Sequence, residues 1–297
     1  MKRRTYYEFD GSQRIRIRET YVRDVLGVLV AQRRTGLVKL DIVLRGLARR
    51  SRQMGEVHPE LAWETIHDLC RPVESYSADD AVLKRKWVSE NLRQLEGLGS
   101  VQRHNSPNRR PVLQVQSDSH RESNFDDPGA SGDAYVTFPG DLIAFGHLAS
   151  FGTAEICATF AAINAERYSM GSPDLVQALK LEEAEFGQGV WYRPLSWFQD
   201  QRDLRPATQV RFPFSESTLK RGLKSLKAGG FVATANIKVD PRTGKEFSRR
   251  SRSLYFNGFD DVRGTQAQRR ARLHQKSADH LARIEDNLIP RTAVVDP

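Results

Sequence analysis

Cysteine is nearly absent from this chain. Among 297 residues there are two, Cys70 and Cys157, 87 positions apart. That excludes a disulfide framework and leaves too few thiolates for a cysteine-based zinc site. Long apolar runs are missing too: nothing approaches the roughly 18 residues a membrane span requires. The opening Met1-Lys2-Arg3-Arg4-Thr5-Tyr6-Tyr7 lacks the apolar core of a secretion signal. The phosphate-binding pattern G-x-x-x-x-G-K-[ST] is incomplete, because Thr243-Gly244-Lys245-Glu246 has neither the first glycine nor the final hydroxyl and reads as a hairpin turn. No H-E-x-x-H and no Cys/His cluster at ligand spacing occurs. His67 and Cys70 share one helix face, but a buried thiol beside a half-exposed imidazole is the simpler reading. Tyr6-Tyr7 has no metal-binding histidines beside it. The pairs Gly146-His147 with Arg167-Tyr168, and His280 with Arg283, match strand-transferase chemistry only in fragments. Trp191, Tyr192, Trp197 and Phe198 offer rings for a core and no nucleophile–base pair. These absences predict a soluble cytoplasmic protein that is not an enzyme and needs no metal or cofactor.

What is present is a core and an uneven charge. Apolar residues make up 39% of the chain, enough for a globular protein of two ordinary domains. Lys and Arg (46) exceed Asp and Glu (37) by nine, and the excess is concentrated. Residues 82–116 carry a net +5 and residues 215–256 a net +7, whereas all other residues together carry −3. Two discrete basic elements on a near-neutral scaffold predict two footprints on a polyanion.

Helical spacing is expected over Tyr21 to Arg33, Val38 to Arg52 and Leu61 to Cys70. A fourth helix, capped by Ser77 or Asp79, is expected to run to about Glu96. After Gly97 and Gly99 the period changes, and Val101 to His104 with Val112 to Val115 predicts a β-hairpin with a basic tip. Residues 117–134 are acidic, polar and Pro/Gly-containing, and predict a linker. Beyond it the order recurs. Helices are expected over Thr153 to Tyr168, over Pro173 to Phe186, and over Ser215 to Ala228 with Ser215 as N-cap. Gly229-Gly230 follows, then a long basic hairpin from Phe231 to Phe256, while residues 188–214 stay ambiguous. An offset of 131 aligns Val88, Leu92 and Leu95 with Leu219, Leu223 and Leu226, and sets Arg93 on Lys224, Gly99 on Gly230 and Val101 on Val232.

The stretch Phe214-Ser215-Glu216-Ser217-Thr218-Leu219-Lys220-Arg221-Gly222-Leu223-Lys224-Ser225-Leu226-Lys227-Ala228-Gly229-Gly230-Phe231-Val232 resembles the recognition helix, glycine turn and first wing strand of winged helix-turn-helix domains. The resemblance is good over 215–256 and weaker over 77–116, and the short helix that should precede the recognition helix is not recognisable in 188–214. It implies an α+β, mainly helical fold of two winged-helix domains with basic β-hairpin wings. These would cover 1–116 and 135–258, separated by the linker 117–134 and followed by a helical tail over 259–297.

It further implies sequence-specific binding to double-stranded DNA, and with it a nucleoid-associated location. At about 100° per residue, Leu219, Leu223 and Leu226 face inward, and Ser217, Arg221 and Lys224 outward. In the first copy Lys86, Glu90 and Arg93 face outward. The hairpins would bring Arg103, Arg109, Arg110, Lys238, Arg242, Lys245, Arg249, Arg250 and Arg252 toward the DNA backbone or minor groove. Transcriptional regulation is the commoner employment of such domains. An origin-binding replication initiator of a plasmid or mobile element is the alternative, and a protein-interaction scaffold is the alternative of another class. The tail can form a homodimer, dock on the second domain, or reach DNA through Arg269, Arg270 and Arg272.

Overall fold

The computed structural model describes residues 14–18, 21–48, 56–57, 61–72, 80–104, 111–116, 135–170, 190–191, 214–238 and 252–288. It is mainly helical with small antiparallel sheets, an α+β chain.

The first strand, β1 (Arg14–Arg18), is an alternation of arginine and isoleucine. Alternation at period two places one set of side chains on one face, and Ile15 and Ile17 are fully buried. The partner of β1 is β5 (Tyr135–Pro139), more than a hundred residues downstream, with Ile15 opposite Phe138 and Ile17 opposite Val136. A π-helical turn, Val22–Leu26, runs straight into the α-helix Gly27–Ala31, together α1. Next comes α2 (Thr35–Ala48), buried over nearly its whole circumference. A helix buried all round lies at the centre of a fold, and α2 contacts α1, α3, α4, β1 and the first sheet. In chain order the first half continues with β2 (Glu56–Val57), α3 (Trp63–Cys70), α4 (Ala81–Gly97), β3 (Val101–His104) and β4 (Val112–Val115). Asp80, one residue beyond the expected caps, accepts a hydrogen bond from the Leu83 amide and starts α4.

After β5 come two single-turn helices, α5 (Asp141–Ala144) and α6 (His147–Ser150), and then α7 (Thr153–Met170). β6 (Val190–Trp191), α8 (Glu216–Gly229), β7 (Val232–Ile237), β8 (Arg252–Asn257) and α9 (Gln266–Leu288) complete the described elements. The helix expected over Pro173 to Phe186 lies outside the described residues, as do Tyr192, Trp197 and Phe198 and both hairpin tips.

The two halves repeat one topology. β2, β4 and β3 form a three-stranded antiparallel sheet in that order, and β6, β8 and β7 form another in the equivalent order. Each has the last strand in the middle and a two-residue strand on one edge. The helix-to-hairpin turns match at the atomic level. Ser100 N donates to Leu95 O at 3.0 Å and Phe231 N to Leu226 O at 2.9 Å, and Gly99 and Gly230 occupy left-handed backbone at φ 69° and 77°. This is the six-to-one closure that lets a glycine end a helix and turn the chain into a strand. Each of these residues lies 131 positions from its counterpart.

The expected division at 117–134 falls on residues outside the described set. On either side of it the halves are joined: β1 pairs with β5, and one continuous core contains Leu40 and Leu92 from the first half with Phe138, Phe160 and Leu223 from the second. Polar groups cross the same seam. Thr35 and Thr153 hydroxyls meet at 2.6 Å, and Lys39 Nζ donates to Ala149 O at 2.7 Å.

Lys39 is buried, and loss of hydration pulls its ammonium down from the ordinary lysine range to about 8. The folded protein therefore releases this proton near pH 8, while the unfolded chain keeps it to about 10.5. In that window the unfolded state binds more protons, so stability rises with pH and falls again as pH drops through 8. Between pH 7 and pH 9 the native protein should gain about 1 kcal/mol relative to Lys39→Met. Parallel denaturant titrations at the two pH values check this, and a pH-independent difference would refute it.

Candidate nucleic-acid interface

The strongest candidate surface is the outer face of α8, and its exposure follows from how the inner face packs. Ser215 caps the helix by accepting from the Thr218 amide at 3.2 Å. Leu219, Leu223 and Leu226 are buried in the shared core. Between them lies Gly222, where α8 crosses α7 at backbone contact. A Cβ added there would overlap the Ala154 carbonyl oxygen and lie 2.7 Å from Ala158 Cβ. On an exposed helix Gly→Ala adds about 1 kcal/mol of stability. Here the sign reverses: Gly222→Ala should destabilise by about 2 kcal/mol, because a backbone oxygen cannot rotate away. Equal or raised stability in chemical denaturation would refute the packing argument.

Locking the inner face leaves Ser217, Lys220, Arg221 and Lys224 exposed. Lys220 is paired with Glu216 at 2.6 Å. Arg221 and Lys224 have no acidic partner among the described residues. Ser217 Oγ is 2.9 Å from Ser215 Oγ at the helix start. At the far end, Lys227 lies 5.9 Å above the Tyr255 ring, and partial burial holds its ammonium below the ordinary lysine range. Lys227, Thr234, Arg270 and His274 line a groove of about 360 Å³ between α8, β7 and α9. Lys238 is exposed just past β7, and Arg252 opens β8 opposite Ile237. Arg242, Lys245, Arg249 and Arg250, on the expected tip of this hairpin, lie outside the described residues, as do Arg109 and Arg110 on the first.

The first copy carries its charge differently. Val88, Leu92 and Leu95 are fully buried, and Lys86 and Arg93 are exposed as expected. Acids lie beside three of the α4 cations. Lys84 meets Asp68 at 2.7 Å, Arg85 meets Glu64 at 2.9 Å, and Lys86 reaches Glu90 at 4.0 Å. Arg103, expected to face DNA from the hairpin, holds Glu96 with both arms of its guanidinium, with Nε at 2.7 Å. Its fork is thus occupied by the last turn of α4.

The tail docks on its own chain. Arg269, Leu273 and Ser277 of α9 are buried. Arg269 donates to Gly229 O and Gly264 O and stacks 4.7 Å from the Phe231 ring centre. Arg270 donates to Ala228 O, and Arg272 pairs with Asp261 at 2.7 Å. All three arginines named for the tail therefore brace the end of α8 or the loop before α9. α9 contacts α8, β7 and β8.

His67 is buried rather than half-exposed. Its Nδ1 sits 3.1 Å from Asp68 Oδ1, and its ring meets Trp87 edge-on. Burial pushes the Cys70 thiol far above the ordinary range and the Cys157 thiol up to about 12, so neither carries a thiolate at neutral pH. Among the described residues no group of three His, Cys, Asp or Glu side chains could hold a metal ion, and no helix is long and apolar enough to cross a membrane. No family model, curated protein or solved structure matches the chain.

Proposed function

We propose that this chain binds double-stranded DNA in a sequence-specific way, as a tandem of two winged-helix units. The observation that carries the reading is the row Ser217, Arg221 and Lys224. It is exposed on a capped helix, directly opposite a buried leucine row and followed by a basic hairpin. A helix so placed fits a major groove, where arginine meets guanine bidentately and lysine meets phosphate. The hairpin then follows the flanking backbone. The repeated sheet order supports the winged-helix reading of both halves.

Transcriptional regulation is one employment of such a protein. A second reading, origin-binding replication initiation on a plasmid or mobile element, is favoured by a specific observation: the two units are fused through one core on one chain. Such a molecule spans two consecutive grooves without a partner, and its site need not be palindromic. The test is recovery of DNA bound by the native protein in cells, followed by salt titration on the best site. Enrichment at promoters supports regulation, and clustered repeats beside a replication locus support initiation. Absence of both enrichment and salt-sensitive binding would leave a protein-interaction scaffold, because phosphate contacts necessarily release counterions.

A further inference from the structure

The two outward rows are equivalent in position and opposite in chemistry. The offset of 131 sets Lys86 on Ser217, Glu90 on Arg221 and Arg93 on Lys224. The centre of the row is an acid in α4 and a guanidinium in α8. Around that acid the cations of α4 are paired: Lys84 with Asp68, Arg85 with Glu64, Lys86 with Glu90. What α4 presents at its first turn is hydrocarbon. Val82 is 70% exposed and Leu83 is 43% exposed, directly after the Asp80 cap. At about 100° per residue Val82 lies in line with Lys86, Glu90 and Arg93. A single exposed valine is ordinary. Two adjacent large apolar side chains at the start of the helix, heading a row that ends three turns and about 16 Å later in an arginine with no acidic partner among the described residues, call for a partner that is apolar at one end and anionic at the other.

A major groove offers both along the length of a helix, the C5-methyl groups of thymine on its floor and the phosphates on its rim. The N-terminal residues of a helix lying in that groove are the ones that reach base edges. Resting on the DNA-binding reading, the geometry points to α4 as a reader of thymine methyl groups. Val82 and Leu83 select thymine under the first turn, and Arg93 holds a phosphate about three turns further along the helix. α8 engages its own half of the site through Arg221 and Lys224. The two halves of the bound sequence are therefore unequal, one read by methyl contact and the other by charge.

The experiment uses the full chain and a duplex carrying the site recovered from cells. Thymines are replaced by deoxyuridine in one half at a time, which removes the methyl and keeps every hydrogen-bonding group. Uracil in the half under α4 should weaken binding about fourfold per contacted methyl, and uracil in the other half should have little effect. Val82→Ala with Leu83→Ala should bind the thymine and uracil duplexes equally, with an unchanged melting temperature. Equal affinity of the native chain for thymine and uracil in both halves overturns the proposal. So does a doubly substituted chain that keeps the uracil penalty. If that chain also sediments as a smaller species than the native one, the first turn of α4 belongs to a contact with a second copy. Failure of the native chain to bind the thymine duplex in a salt-sensitive way removes the DNA-binding reading itself, before any uracil is introduced.

Discussion

Alanine at both Arg221 and Lys224 should lower affinity for the best DNA site by ten- to a hundredfold and leave the thermal unfolding midpoint where it was. The two side chains are exposed and have no acidic partner among the described residues, so their removal breaks no ion pair there. Surface changes of that kind usually alter stability by no more than about 0.5 kcal/mol. The affinity loss corresponds to about 1 to 3 kcal/mol, the worth of one good base or phosphate contact pair. A second readout separates the roles. If both residues meet phosphate, the slope of log affinity against log salt falls by about two, whereas a base contact by Arg221 leaves its share of the slope intact and relaxes specificity instead. Unaltered affinity would remove α8 from the interface.

The largest stability effect is expected at Asp41. Its carboxylate is fully buried, accepts from Arg45 Nε at 2.7 Å and from the Tyr21 hydroxyl at 3.0 Å, and is also bonded to the Ser100 hydroxyl. The Arg45 guanidinium, itself buried, lies 4.3 Å over the Tyr21 ring. Burial, reinforced by the Asp41 charge, drives the Tyr21 phenol far above its ordinary range, so it stays a neutral donor. Asp41→Ala strips a buried carboxylate from Arg45, Tyr21 and Ser100 at once and should cost about 3 to 5 kcal/mol. Replacing Asp41 and Arg45 together with leucine should recover most of that, because exchanging a whole buried ion pair for apolar groups is close to neutral. Urea titration of the two variants decides it, and a cost under about 1 kcal/mol for Asp41→Ala would mean that water reaches this site. The network also matters for geometry. Ser100 sits in the turn from α4 to β3, so Asp41 ties the central helix to the root of the first hairpin.

The elements read correctly from sequence are those whose signals are local. Leu219, Leu223 and Leu226 mark an inner face by spacing alone, Ser215 announces a start, and Gly230 a stop. The structure places each where those signals put it. The hairpin of Val101 to His104 with Val112 to Val115 is equally local and pairs as expected. What was not legible is long-range. Nothing in the arginine–isoleucine alternation of β1 names β5 as its partner, so the fusion of the halves is invisible in the sequence. Lys39, Asp41 and Arg45 look like the wet side of an amphipathic helix until their partners from α6, α1 and the Ser100 turn are present. Gly222 carried a faint signal, since a glycine inside a helix either weakens it or marks a close approach. Only the position of α7 decides between these.

On the candidate site, sequence located the exposed cations and missed which of them are already paired. Glu96 is seven residues before Arg103 and Glu64 lies twenty-one before Arg85, and both pairings depend on how helices and hairpin are docked. The apolar first turn of α4 escaped notice for the opposite reason. Val82 and Leu83 read as part of a helix pattern, and burial alone reveals that the pattern leaves them outside.

The pairing of β1 with β5 makes the two halves of this chain a complementation pair rather than two portable modules. A fragment beginning near residue 135 inherits Val136 and Phe138 without the isoleucines that cover them, and a fragment ending near residue 116 inherits the isoleucines alone. A nick within 117–134 breaks one covalent link while leaving the ribbon and the common core to hold the pieces together. Swapping either half into another protein would carry away a strand without the partner that pairs with it here, so the halves do not exchange as whole units.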